Sequence, residues 1–147
     1  VMPDRKYHNT TVHRLVNKVM LDGKKLIAEK LVYSAMEIAA EKVKSDDPLQ
    51  VLETALNNVK PHMETRSRRV GGANYQIPFE VKGQRQAHLM MMWFVGAARG
   101  RKGMPSDMRI ALEIVDAFNN TGTAVKKKED THKMAESNRA FAHFARS

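Results

Sequence analysis

Apolar residues in this chain recur every three or four positions through residues 10–59. They then alternate with polar ones around residues 64–81, and return to the first spacing from residue 84. A helix brings residues three and four apart onto one face, whereas a strand sends neighbours to opposite faces. The chain therefore reads as a set of helices interrupted once by strands. Val12, Leu15, Val16, Val19 and Met20 mark the first helix, and Asp22-Gly23 turns the chain, with Gly23 suited to a left-handed C-cap. The second helix is expected to face inward with Ile27, Leu31 and Ile38, and with Ala28, Ala35 and Ala39, which let another helix approach closely. Asp46-Asp47-Pro48 is a helix start, with acids at the cap and proline at the first position. Leu49, Leu52, Leu56 and Val59 follow in register, and Pro61 lies just beyond.

Residues 64–70 and 73–81 flank Gly71-Gly72, and in the second run Tyr75, Ile77, Phe79 and Val81 alternate with Asn74, Gln76, Pro78 and Glu80. A glycine pair between such runs predicts a β-hairpin, because both turn residues can take positive φ. Only Phe79 and Val81 offer enough clustered apolar surface to pack on the helices. A fourth helix from Gln84 carries Met90, Trp93, Phe94, Ala97 and Ala98 on a wide apolar face, with Met91 and Met92 filling in. Trp93 is expected to be largely buried. A fifth helix opens at Pro105 or Ser106 and faces inward with Ala111, Ile114, Val115 and Phe118. The sixth, residues 124–143, is more polar and has Lys126, Lys127 and Lys128 in its first turn. The fold class is mainly α: about six helices with one projecting β-hairpin between the third and fourth. One domain spans residues 1–147, with the arm at about residues 63–82.

Composition narrows the function. The 147 residues hold 25 Lys and Arg against 16 Asp and Glu, a net charge of +9. Such a balance favours a polyanionic partner, nucleic acid or an anionic membrane. No apolar run reaches the roughly 20 residues of a spanning helix. The first residues, Val1-Met2-Pro3-Asp4, have no signal-peptide core, so a soluble intracellular protein is expected. There is no cysteine, which removes disulfides, Cys-based zinc sites and thiol nucleophiles. The histidines His8, His13, His62, His88, His132 and His143 form no metal-ligand pattern, and no cofactor motif is present. Asp46-Asp47 and Glu129-Asp130 read as carboxylates at helix starts, where they meet free N–H groups, and not as an acid–base pair. No catalytic residue is predicted.

The basic residues fall at predicted helix ends and connections. They are Lys24 and Lys25; Arg66, Arg68 and Arg69 on the first strand; Lys82 and Arg85; Arg99, Arg101 and Lys102; and Lys126, Lys127 and Lys128. A membrane-surface helix would instead line its lysines along one face opposite bulky apolar residues, so no membrane partner is expected. A duplex-DNA reader needs a recognition helix with base-reaching side chains on one face. Charge at loops and ends suits the irregular backbone of a folded RNA. The arm puts arginine on both faces of its first strand, and a lone hairpin is marginal in water. Either it is ordered against RNA, with Arg forks on phosphate and Tyr75 as a stacking plane, or it is an ordinary solvated hairpin. At the lysine triplet, either a phosphate sits at the helix start or Glu129 and Asp130 offset the lysines locally. A nucleoid- or promoter-type DNA binder and an RNA-modifying enzyme are the alternatives.

Several segments resemble the bacterial form of the small ribosomal subunit protein seven family. They are Leu21-Asp22-Gly23-Lys24-Lys25, Val59-Lys60-Pro61, Ser67-Arg68-Arg69-Val70-Gly71-Gly72 with Tyr75-Gln76-Ile77-Pro78, and residues 122–130 with Met134-Ala135-Glu136 and residues 140–143. The match runs in order over essentially the whole chain. It implies a structural protein of the small subunit that binds the 3′ major domain of the ribosomal RNA and nucleates assembly of the subunit head. It further implies a place at the subunit interface near exit-site tRNA and mRNA, beside neighbouring small-subunit proteins, in cytoplasmic or organellar ribosomes. By matching segment, Lys24, Lys25, Arg66, Arg68, Arg69, Lys82, Arg85 and Lys126 to Lys128 become the expected RNA contacts. The family usually carries an Arg/Lys-rich extension before the Pro-Asp, where this sequence has only Val1-Met2, and the connection over residues 102–108 is slightly variant.

Overall fold

The computed structural model describes residues 2–146, and side chains through residue 143. The described chain runs α1 (Thr10–Val19), α2 (Lys25–Lys42), α3 (Pro48–Val59), β1 (Met63–Val70), β2 (Ala73–Glu80), α4 (Gly83–Arg99), α5 (Ser106–Phe118) and α6 (Thr123–Ser137), then a 3₁₀ turn over Arg139–Arg146. Six α-helices and one antiparallel strand pair between α3 and α4 match the architecture expected from the periodicity. No described helix is long and apolar enough to cross a membrane.

Helix starts follow their capping chemistry. The Asn9 side chain accepts from the Thr11 and Val12 amides at the head of α1, and Asp47 accepts from the Gln50 amide, with Pro48 first in α3. Val12, Leu15, Val16, Val51, Leu52, Leu56, Phe94 and Ile114 are buried in one apolar cluster that reaches α6 through Ala124 and Val125. The alanines of α2 do what small residues allow: α2 lies along α5, and Ala28, Ala35 and Ala39 are buried.

Several expectations change. Ile27 stays 56% exposed, as does Leu26 at 63%; the inner stripe of α2 is Ala28, Val32, Ala35, Met36 and Ala39, one position round the helix. Met92 is exposed, and Trp93 is half-buried at the edge of the cluster, because α4 turns Leu89, Met90, Met91, Phe94 and Val95 inward instead. The first helix ends at Val19 with Met20 as its cap, and Asp22 and Gly23, both at positive φ, form a separate turn. The last helix stops at Ser137, not at residue 143. There the Asn138 side chain donates to the Met134 carbonyl at 2.8 Å and the Ser137 hydroxyl donates to the Lys133 carbonyl at 3.0 Å, which satisfies the terminal carbonyls.

The strands pair from Met63↔Glu80 to Val70↔Ala73, and Gly71 and Gly72 take φ of 59° and 83° at the turn. Cross-strand partners share a face, so Glu64, Arg66 and Arg68 lie with Phe79, Ile77 and Tyr75, while Arg69 lies opposite with Asn74. The arm packs mainly against α6 and the C-terminal turn. Its buried base is wider than expected, since Ile77 and Pro78 are buried with Val81 while Phe79 is only half-buried. The His62 amide donates to His132 Nε2 at 3.0 Å, which ties the entry of the arm to α6.

Candidate nucleic-acid interface

The basic residues on the arm and on α4 are joined by one buried acid. Glu64 is 7% exposed and accepts from Arg85 Nε at 3.1 Å and Arg66 Nε at 3.3 Å. Burial alone would push its carboxyl up, but the two guanidiniums outweigh that and hold it below the usual carboxylate value. Both arginines remain about half exposed, so each keeps donors toward solvent. Arg66 also lies over the Phe79 ring, 5.1 Å from its centroid. Lys82, at the cap of α4, is exposed beside Glu80 at 3.5 Å.

A groove lies between α1 and α4, lined by residues that include Arg14, Asn17, Lys18, Gln84, His88 and Met91. Arg99 approaches α1 as well, donating to the Lys18 carbonyl at 3.0 Å. The sequence reading missed Arg14, Lys18 and His88. The signal was there: Arg14 and Lys18, and Gln84 and His88, are four apart on the polar sides of their helices. In sequence such a pair looks like any solvated helix face, because only the packing of α1 on α4 sets the two faces beside each other.

The other predicted residues lie apart from this groove. Lys24 and Lys25 are exposed at the start of α2, beside the exposed Leu26. Lys102 is exposed in the connection before α5. Arg101 is turned inward: its side chain is 24% exposed and binds Glu113 at 3.2 Å and Asp116. Tyr75 packs against Phe141 of the C-terminal turn in a tilted pair, with ring centroids 4.9 Å apart and planes at 48°.

At α6 the helix starts at Thr123, one residue earlier than expected, so the lysines sit one position further in. Thr123, Ala124 and Val125 form the first turn, so Lys126, Lys127 and Lys128 lie beyond the strongest part of the helix dipole. Glu129 and Asp130 are correspondingly in mid-helix, and Lys126 pairs with Asp130 at 3.6 Å. The head of α6 instead meets the protein's own carboxyl, Glu113, which is 1% exposed. Burial raises the Glu113 pKa, while the Arg101 charge and the Ala124 amide oppose the rise. No group of three or more His, Cys, Asp or Glu that could hold a metal occurs among the described residues.

Comparison with known proteins adds a second, independent line. The family profile described as ribosomal protein S7p/S5e matches residues 1–139. Small ribosomal subunit protein uS7 of Dictyoglomus turgidum is 59% identical over 144 residues, covering 98% of this chain and 92% of the relative. The proteins of that name from Thermosipho africanus and Thermotoga maritima are 56% and 55% identical over the same shares.

Proposed function

The chain belongs to the ribosomal protein S7p/S5e family and is a structural protein of the small ribosomal subunit, and from that premise we propose which RNA it binds, where in the subunit it lies and which surface meets the RNA. It binds the 3′ major domain of small-subunit ribosomal RNA directly and nucleates assembly of the subunit head. In the assembled subunit it lies at the interface, with the arm toward exit-site tRNA and mRNA. The observation that carries this reading is the grouping of basic side chains on neighbouring elements: Arg66 and Arg85 at Glu64, and Arg14 and Lys18 in a groove that Gln84, next in sequence to Arg85, also lines. Guanidiniums and ammoniums along a groove neutralise phosphates, which supply most of the affinity for a nucleic acid.

Lys24, Lys25, Arg66, Arg68, Arg69, Lys82, Arg85, Arg99, Lys102 and Lys126 to Lys128 remain the proposed contacts, joined by Arg14 and Lys18. Arg101 is assigned to support, because both its carboxylate partners belong to α5. Hydroxyl-radical footprinting of the protein on naked small-subunit ribosomal RNA tests the reading. Protections should cluster in the 3′ major domain and survive excess duplex DNA and unrelated RNA. Equal competition by all three nucleic acids would sink it.

A further inference from the structure

A lone two-stranded ribbon is marginal in water, so something must fix the direction in which this one points. The five helices α1 to α5 do little of that, because the arm packs mainly on α6 and on the 3₁₀ turn Arg139–Arg146. The turn meets β2, and its Phe141 ring packs at a tilt against Tyr75, toward the tip from the buried Ile77. The turn is itself anchored to the end of α6. The Phe141 amide donates to the Asn138 carbonyl at 2.9 Å, and the Asn138 side chain donates to Met134 at 2.8 Å. Buried residues hold the base of the arm, and an aromatic contact from another element holds its outer half.

We infer that Phe141 is a positioning residue, which through Tyr75 sets the angle of the arm for RNA without needing to touch RNA itself. The inference rests on the reading of the arm as RNA-facing. Phe141 crowds the Tyr75 ring, so Arg66, Arg68 and Arg69 carry the arm's contacts with phosphate, and their placement depends on the arm's direction. An aromatic pair of ordinary strength would bias the docked over the swung arm by roughly two- to tenfold. A partner that needs the docked arm binds weaker by that factor when the ring is lost.

The experiment uses the full chain, whose lack of cysteine permits clean labelling. Spin labels at Glu53→Cys and Asn74→Cys, both exposed sites on α3 and β2, report the distance from helix body to arm. Phe141→Ala should broaden that distribution, and Phe141→Tyr should restore it, with helical circular dichroism unchanged in both. On small-subunit ribosomal RNA, Phe141→Ala should weaken the protections that vanish when residues 66–76 are replaced by a short Gly-Ser turn. Protections from the helix body should persist. An unchanged distance distribution overturns the inference, as does a broadened one with intact arm protections. If the wild-type arm gives no protections at all while the distribution still broadens, the RNA-facing reading fails, and the positioning role falls with it.

Discussion

Asp4 holds a segment that has no regular structure. Its carboxyl accepts from the amides of Lys6, Tyr7 and Asn9 at 2.8–2.9 Å, and from the Tyr33 hydroxyl at 2.9 Å. Burial raises its pKa, but those four donors outweigh it and leave the pKa below 3.8. On the other side, burial and the bond to Asp4 push Tyr33 up to about 12. A carboxylate with a depressed folded pKa contributes stability that is present above its unfolded pKa and is lost as pH falls through the folded one. Asp4→Asn should therefore cost about 1–3 kcal/mol near neutrality, since an amide cannot accept at every donor. The gap between the two proteins in urea unfolding should be constant above about pH 5 and close below pH 3.8. A gap that stays open in acid would remove Asp4 as its source. Gly122 is a second residue with a strict requirement. It sits at φ 93°, and a Cβ there would stand 2.8 Å from Asp116 Cβ and 3.3 Å from Glu113. Gly122→Ala should cost about 2–4 kcal/mol from backbone strain and overpacking. Hydrogen exchange should locate the loss at the head of α6.

The elements show which signals a sequence carries and which it does not. Helices α1, α3 and α5 follow from an apolar stripe plus a cap, and the arm follows from alternation around Gly71-Gly72, because both are local patterns. Ile27 and Met92 were misplaced because an apolar residue beside the stripe looks the same in sequence as one within it; only the neighbouring helix decides. The end of α6 was missed because Ala140, Phe141 and Ala142 continue the helical pattern. Asn138 stops it by donating its side chain to the Met134 carbonyl. The basic residues were legible individually, but not the acids that bind them, since Glu64 lies 21 residues from Arg85 and Glu113 lies 12 from Arg101. The arm yields a prediction at this scale. Replacing residues 66–76 with a short Gly-Ser turn removes the Tyr75–Phe141 pair and the Arg66 contacts, yet leaves Glu64, Ile77 and Pro78 in place. The loss should be about 1–2 kcal/mol, the sum of one aromatic pair and one half-exposed ion pair. Thermal melting with intact helical circular dichroism would bear this out. Global unfolding would show the outer arm to be part of the core.

Across the whole molecule, positive charge divides into residues spent on the fold and residues left for a partner. Arg5 and Lys6 are tied to Glu29 and Glu37 of α2, and Arg101 to Glu113 and Asp116, while Arg66 and Arg85 share Glu64 and stay half exposed toward a partner. Among the described residues, Arg14, Lys18, Lys24, Lys25, Arg69, Lys102, Lys127 and Lys128 have no carboxylate at ion-pair distance. The two classes should separate in the salt dependence of binding. Each phosphate neutralised adds roughly 0.7 to 0.9 to the slope of log K against log salt, because a counterion is released. Lys18→Ala and Arg14→Ala should each lower that slope by up to about one and leave urea unfolding nearly unchanged. Arg101→Ala should do the reverse. It leaves the carboxyl of Glu113, 1% exposed, without its guanidinium, at a cost of about 3–5 kcal/mol if the acid stays charged. Because burial already raises the Glu113 pKa, the variant should recover stability toward acid, as that carboxyl takes up a proton more readily folded than unfolded. The double variant Arg101→Ala, Glu113→Gln should regain part of the loss at neutral pH, since no charge is then stranded. All three effects should appear without RNA present. A reduced salt slope for Arg101→Ala with undiminished stability would place Arg101 on the RNA and refute the division.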